Sequence, residues 1–293
     1  MVTAFLDHLA HERRLSDHTR AGYAHDLDAL AALAPDTAIE AIPAHTIRRA
    51  VAQLHARGLG PRSIARALSA WRTFYAWLIR HRGLAGNPVA NVRAPKQKKS
   101  LPKALSPDAA SQLLSRAVEA PLDQRDKAMF EILYSSGLRL AELISLDLED
   151  ARMILAEAEV TVLGKGNKTR SIPVGRAARE AVEAWLAVRA QVAGSDERAL
   201  FVSSRGSRIS QRMVQMRLKR WTFQSGVRAK VHPHVLRHSF ASHVLQSSGD
   251  LRAVQEMLGH SSITTTQVYT ALDFQHLAKV YDAAHPRAKK KPR

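Results

Sequence analysis

Along the first part of the chain the apolar positions recur at three- and four-residue intervals, the spacing of helices that bury one face. Phe5, Leu6 and Leu9 mark a first helix, and Ser16 with Asp17 caps a second that carries Tyr23, Leu27, Leu30 and Leu33 on one side. A third is expected from Ala44 to about Leu59, closed by Gly58 and Gly60; a fourth starts after Pro61 with Ile64, Leu68, Trp71, Phe74, Tyr75 and Leu78. The pattern predicts an all-α bundle whose aromatics form its core rather than a platform for stacked bases. Asn87-Pro88 stops the fourth helix. Beyond it, Arg93, Lys96, Lys98, Lys99 and Lys103 stand among prolines without apolar periodicity, which reads as an extended connector. The expected organisation is a helical domain over 1–92, a basic linker over 93–104 and a second domain over 105–293.

In that second domain the period changes. Ser106-Pro107-Asp108 starts a helix, Asp123 opens another that ends at Gly137, and a short one follows Arg139 with Leu140, Leu143, Ile144 and Leu146 on its buried side. Val160–Leu163 and Thr169–Val174 alternate as strands, and Gly164-Lys165-Gly166-Asn167-Lys168 between them reads as a hairpin turn. A polar turn and a clean strand are expected over Ala151–Glu159, and the Ala/Glu-rich run there blurs the start of the first strand. A helix over about Ala177–Val192 buries Ala181, Trp185 and Val188, Leu200–Val202 reads as a short strand, and Ser210 caps a helix exposing Gln211, Arg212, Gln215, Arg217, Lys219 and Arg220. A helix starting near His234 carries Leu236, Phe240 and Val244 on its buried stripe. Gly249-Asp250 closes it and caps the next, which presents Leu251, Val254, Met257 and Leu258 to the core and stops at Gly259. The fold class expected is mainly α with a small β-sheet, an all-α bundle followed by an α+β domain.

Charge narrows the partner. The 293 residues carry 44 Lys and Arg against 26 Asp and Glu, a net +18, divided as 12 basic and 7 acidic in residues 1–95 and 32 and 19 in the rest. Such an excess points to a polyanion, with DNA or RNA fitting best. A membrane surface is the competitor, but no apolar run reaches the length of a bilayer span, and Asp7, His8 and Glu12 stand where a signal peptide would be basic and then apolar. With no cysteine, disulfides, thiolate metal sites and a cysteine nucleophile are excluded, and a cytoplasmic setting is expected.

Several residues could carry chemistry, and each has a plain alternative. Thr19 and Arg20, and Arg62 with Arg66 one turn apart, could track phosphates or simply be solvated. Gln211, Arg212, Gln215 and Arg217 mix amides and arginines as a major-groove reader does, or form a solvated face. Arg139 could hold a phosphate with its guanidinium fork or pair with Glu142. Lys165 lacks the spacing of a P-loop; it is a solvated turn lysine or a general acid for a leaving oxygen. His234 and Arg237 share a face at a helix start; His260 and Tyr269, taken singly, are a satisfied polar residue and a half-buried core tyrosine. His234 and His238 have the spacing of a zinc pair, but no Glu lies between them and no cysteine is present.

Taken together, Arg139, Lys165, the H-x-L-R run at His234–Arg237, L-G-H at Leu258–His260 and Tyr269 resemble the tyrosine site-specific recombinases. The run T-R-x-x-Y-x-x-D-L at Thr19–Leu27 and the basic linker are similar to that family's SAM-like core-binding half, and His at 260 and the tail Asp273–Arg287 look like its chromosome-dimer-resolving Xer branch. The resemblance implies Tyr269 as nucleophile on a double-stranded DNA site, Arg139 and Arg237 on the non-bridging oxygens, Lys165 as general acid, His234 assisting proton removal and His260 bonding the phosphate. It further implies no cofactor and no metal, a tail over 273–293 that docks into a neighbouring protomer, a heterotetramer with a related second recombinase, and a DNA translocase as activator. The rival readings are a DNA-binding protein without catalysis, a metal-dependent nuclease, a phage-type integrase and a type IB topoisomerase.

Overall fold

Each helix expected from the N-terminal periodicity forms, and the polar residues flanking the apolar runs set its ends. In the computed structural model, which describes residues 1–96, 104–163, 169–259 and 274–287, the chain divides into two compact units, Met1–Ser100 and Leu101–Arg293. The first unit contains α1 (Val2–His11), α2 (Asp17–Leu33), α3 (Ala44–Ala56) and α4 (Pro61–Arg82). The Ser16 hydroxyl accepts from the Thr19 N–H at the start of α2, Pro61 occupies the first turn of α4, and Gly83 ends α4 in the left-handed conformation. The third helix stops at Ala56, short of Leu59, because Gly58 has turned to φ +86°.

The core of this unit is aromatic. Phe5, Trp71, Phe74 and Tyr75 are fully buried, with the Phe5 and Phe74 rings edge to face at 5.2 Å. The Trp71 indole N–H donates to the Asp26 carbonyl at 2.7 Å and the Tyr75 hydroxyl to that of Ile39, so both polar tips are satisfied. After α4 the chain returns along it: the Asn87 amide donates to Arg72 O at 3.1 Å and the Arg72 guanidinium to Val89 O at 3.3 Å.

The second unit is built on α6 (Pro121–Ser136), buried along its length. Against it pack α5 (Pro107–Leu114), α9 (Arg176–Arg189), α10 (Gln211–Gln224) and α11 (Pro233–Ser248). Helix α6 begins with Pro121 rather than at Asp123, which instead lies in its first turn. The hairpin pairs β1 (Glu159–Leu163) with β2 (Thr169–Pro173) antiparallel, with Val160 opposite Ile172 and Val162 opposite Arg170.

Three expectations fail. The Ala/Glu-rich run is α8 (Leu148–Glu157), following the short α7 (Leu140–Ser145). Alanine and glutamate favour helix, Asp147 and Asp150 join its first turn, and Ile154 faces the core. Leu200–Val202 is buried but carries only an isolated bridge from Val202 to Arg208, next to another from Ala199 to Asp147, since among the described residues no strand runs alongside. In α12 (Leu251–Leu258), Leu251 is 53% exposed, and Ala253, Val254, Met257 and Leu258 form the buried face.

The last described helix, α13 (Phe274–Ala284), packs against α11 and β2 of its own chain. The Tyr281 and Ser135 hydroxyls lie 2.6 Å apart, the His285 ring stacks on Tyr281 at 4.8 Å, and Arg287 pairs with the buried Glu131. Burial pushes the His285 pKa down to about 3, so this imidazole is neutral.

Candidate active site

The candidate site is assembled from the ends of elements. Gly137 ends α6 at φ +60° and turns the chain so that Arg139 becomes the residue preceding α7. A Cβ at position 137 would come 2.4 Å from the Phe240 ring of α11, so both the turn and the packing beside it require glycine. One turn on, Glu142 accepts the Arg139 backbone N–H on Oε2 at 2.8 Å and its Nη1 on Oε1 at 2.7 Å. The plain reading of Arg139 as the partner of Glu142 is therefore correct in geometry. It does not exhaust the residue, whose side chain stays 35% exposed and donates from Nη2 to Gly259 O at 3.0 Å.

Arg237, on the first turns of α11, reaches the same place from another direction. Its Nη1 donates to Gly137 O at 2.5 Å and its Nη2 to Leu258 O at 2.6 Å. Burial lowers its pKa and repulsion from Arg139 adds to this, bringing it down to about 10, so the guanidinium remains charged at neutral pH. His234, three residues earlier, is exposed on the same face. Leu236, Phe240 and Val244 are fully buried beneath, as the stripe required.

The sequence reading missed Arg170. On β2 it lies opposite Val162 and in phase with the buried Ile172, so the alternation points it inward. There Nη1 and Nη2 donate to both oxygens of Glu142 at 3.0 and 2.8 Å, and Nε donates to Met257 O at 3.0 Å. A charged residue on the apolar side of a strand was the available signal. Burial by itself would raise the Glu142 pKa, but the bonds from Arg170, from the Arg139 N–H and from the Arg139 side chain outweigh it and hold the carboxyl below its ordinary value.

Three consecutive carbonyls at the end of α12 thus receive three arginines from three elements: Met257 from Arg170, Leu258 from Arg237, Gly259 from Arg139. A helix C-terminus exposes unpaired carbonyls and the negative end of its dipole, which offsets part of the repulsion among the cations. The outcome is that the guanidinium groups of Arg139 and Arg237 converge on adjacent carbonyls, with the more buried Arg170 behind them, an arrangement suited to an anion such as phosphate. Lys165, His260 and Tyr269 lie outside the described residues.

The DNA-contact candidates fare unequally. Arg62 is exposed, as are Gln211, Arg212 and Gln215 on α10. Arg217 is not on that face: it turns inward to Asp126 and to Asp123 at 2.9 Å, because the acidic side of α6 lies beside it. Thr19 bonds the Ser16 hydroxyl at 3.0 Å, Arg20 pairs with Asp17, and Arg66 pairs with the buried Asp26 at 2.8 Å while remaining about half exposed. Among the described residues no set of three His, Asp or Glu could hold a metal ion, and no helix is long and apolar enough to cross a membrane.

Comparison with known proteins identifies the family. The profile of the phage integrase family matches residues 103–276, and that of the phage integrase N-terminal SAM-like domain matches residues 2–82. The chain belongs to the phage integrase family. Among its relatives, tyrosine recombinase XerC 1 of Ralstonia nicotianae is 55% identical, covering 99% of this chain and 94% of that one. XerC of Alcanivorax borkumensis is 51% identical over 99% and 95%. The crystal structure of XerA recombinase is 29% identical with a TM-score of 0.51 and 98% coverage of both chains. A lambda integrase tetramer bound to a Holliday junction shares the fold alone, at 18% identity, a TM-score of 0.68 and coverage of 93% and 79%. Like its relatives the chain is a tyrosine recombinase, an enzyme that breaks and rejoins DNA. The resemblance carried by the arginines, the H-x-L-R run and the tail is borne out, and within the Xer branch the relatives are of the XerC kind.

Proposed function

We propose that this recombinase cuts and rejoins the strands of a specific duplex site through Tyr269 and so resolves chromosome dimers during segregation in the cytoplasm. The observation that supports the site assignment is the convergence of Arg139 and Arg237 on the Gly259 and Leu258 carbonyls, immediately before His260 in the chain. Two guanidinium groups fixed this way suit the two non-bridging oxygens of one phosphodiester and offset charge developing in the pentacoordinate transition state. The Tyr269 oxygen forms a bond to phosphorus as the bond to the 5′-oxygen breaks. Lys165 gives its proton to that leaving oxygen, His234 receives the tyrosine proton, and His260 hydrogen-bonds the phosphate. A phenol with an ordinary pKa of ~10 is a poor nucleophile at neutral pH, and the cluster of positive charge favours its ionised form. The products are a 3′-phosphotyrosyl link and a free 5′-hydroxyl. Because the link retains the bond energy, a 5′-hydroxyl from another strand reverses the step without ATP.

Strand exchange needs two sites, and the reading extends to a heterotetramer with a related second recombinase and to activation by a DNA translocase. In that assembly the tail over 273–293 docks into a neighbouring protomer, and α13 leaves the seat it occupies in the single chain. Arg62, Arg66, Gln211, Arg212 and Gln215 contact the DNA. The test is a nicked suicide substrate that loses the fragment bearing the 5′-hydroxyl and so traps the adduct. Wild-type protein is expected to form a covalent complex in the presence of EDTA, and Tyr269→Phe to form none. An adduct with Tyr269→Phe, or cleavage that vanishes in EDTA, overturns the assignment. Recombinant product between two sites separates exchange from simple relaxation.

A further inference from the structure

Arg170 makes every hydrogen bond described above without facing solvent: its side chain is 9% exposed, against 35% for Arg139. It is therefore poorly placed to touch a phosphate and well placed to hold something that does. Its bonds form part of a closed circuit. Met257 O accepts from Arg170, Arg170 grips both oxygens of Glu142, Glu142 grips the backbone and side chain of Arg139, and Arg139 ends on Gly259 O, two residues from the start. We propose that Arg170 is a positioning residue for strand cleavage, fixing Arg139 through Glu142 and locking the end of α12 to β2. This rests on the assignment of Arg139 to the scissile phosphate.

Two physical points carry it. An ion pair across a helix start whose arginine is 35% exposed, such as Arg139 with Glu142, holds its cation weakly when it stands alone, because solvent screens the arginine and its long side chain retains rotamer freedom. Occupying both carboxylate oxygens with the planar fork of a buried arginine removes that freedom from Glu142, and hence from Arg139; lysine cannot reproduce the fork. The second point is steric. Gly259 has φ +61°, and a Cβ there would lie 3.1 Å from Cδ, Nε and Nη1 of Arg170, so the backbone at the end of α12 packs tightly against Arg170 and a side chain there would push it aside. Arg170 also sits one residue into β2, just after the segment that contains Lys165 in the sequence. One side chain thus connects the hairpin, Glu142 with Arg139, and the helix end that precedes His260.

The test uses the full-length protein and the same suicide substrate, with Arg170→Lys and with the double variant Arg170→Leu/Glu142→Leu. The double variant removes both buried charges together and guards against a simple folding failure. For both proteins, DNA binding by gel shift is expected within about threefold of wild type, and single-turnover adduct formation is expected to fall about 100-fold, the scale of a misplaced reacting group. On a substrate with a methylphosphonate at the scissile position, which has one fewer charge for Arg139 to offset, the defect is expected to shrink to under about tenfold. A purely structural role would slow both substrates equally. Adduct formation near the wild-type rate in either variant, or an equal loss on both substrates, overturns the proposal. These outcomes leave the nucleophile assignment standing, because that is judged separately by Tyr269→Phe.

Discussion

Each unit buries a carboxylate beside arginine, and the two titrate in opposite directions. In the helical unit, Asp26 is 4% exposed; among the described residues its single ion-pair partner, Arg66, is about half in solvent and its Oδ2 has no hydrogen-bond partner. Burial raises its pKa, and Arg66 only partly opposes that. In the catalytic unit, Glu142 is buried to a similar degree but receives two arginines and a backbone N–H, and its pKa is lowered. Between these two carboxylates of similar burial the number and geometry of donors set the sign; deeper burial wins again at Asp126, which is raised although Arg125 and Arg217 both bond it. Asp26 is a charge tolerated at the margin of an aromatic core, whereas Glu142 is a joint around which cations are arranged.

The largest effect expected from breaking this contrast comes from removing each carboxylate. Glu142→Ala leaves Arg139 and Arg170 without their common anion and is expected to cost about 3–5 kcal/mol in urea unfolding of the catalytic unit, together with most of the adduct formation. Asp26→Asn is expected to cost no more than about 1 kcal/mol, since it removes a charge that burial already disfavours. If the two costs match, the comparison fails.

Acid provides a smaller and signed effect. Glu142 has a folded pKa below its ordinary value of 4.5, so its contribution to stability is full above 4.5 and is lost as pH falls through the folded value. Asp26 has a folded pKa above 3.8, so its ionisation favours the unfolded chain: its effect on stability is most favourable below 3.8 and declines as pH rises through the folded value. Unfolding free energies measured from pH 3 to 6 should therefore show the gap between wild type and Glu142→Gln widening with pH. For Asp26→Asn the wild type should lose ground as pH rises. Parallel slopes for the two variants would contradict the opposed signs.

The smallest effect lies away from both carboxylates. Ala158 ends α8 at φ +54°, where glycine usually stands, so Ala158→Gly should stabilise the catalytic unit by up to about 1 kcal/mol in the same assay. A loss of stability would show that the methyl group is packed rather than strained.

What the sequence revealed follows from the range of the forces involved. Helix caps and apolar stripes are local, so Ser16, Ser106 and Ser210 mark helix starts as expected, and the stripe under His234 holds. Arg139 and Arg237 could be picked out because they stand in short motifs. Arg217 was misread because its partners Asp123 and Asp126 lie on another helix more than ninety residues earlier, where no periodicity within α10 can reveal them. Arg170 was overlooked for the same reason, although its inward phase on β2 was visible. Helix α8 was missed because an expected turn was given more weight than the plain helical preference of alanine and glutamate.

The acceptors that gather the three arginines are main-chain atoms, and this has a consequence for how the site can be inactivated. No change of side chain within α12 deletes them, so the cluster is insensitive to mutation at the helix surface but sensitive to where the helix lies. Sliding α12 by a single residue, about 1.5 Å along its axis, would offset all three arginines from their carbonyls at once. The tip of α12 therefore behaves as a detent: in register the whole cluster is engaged, and one step out of register the whole cluster lets go.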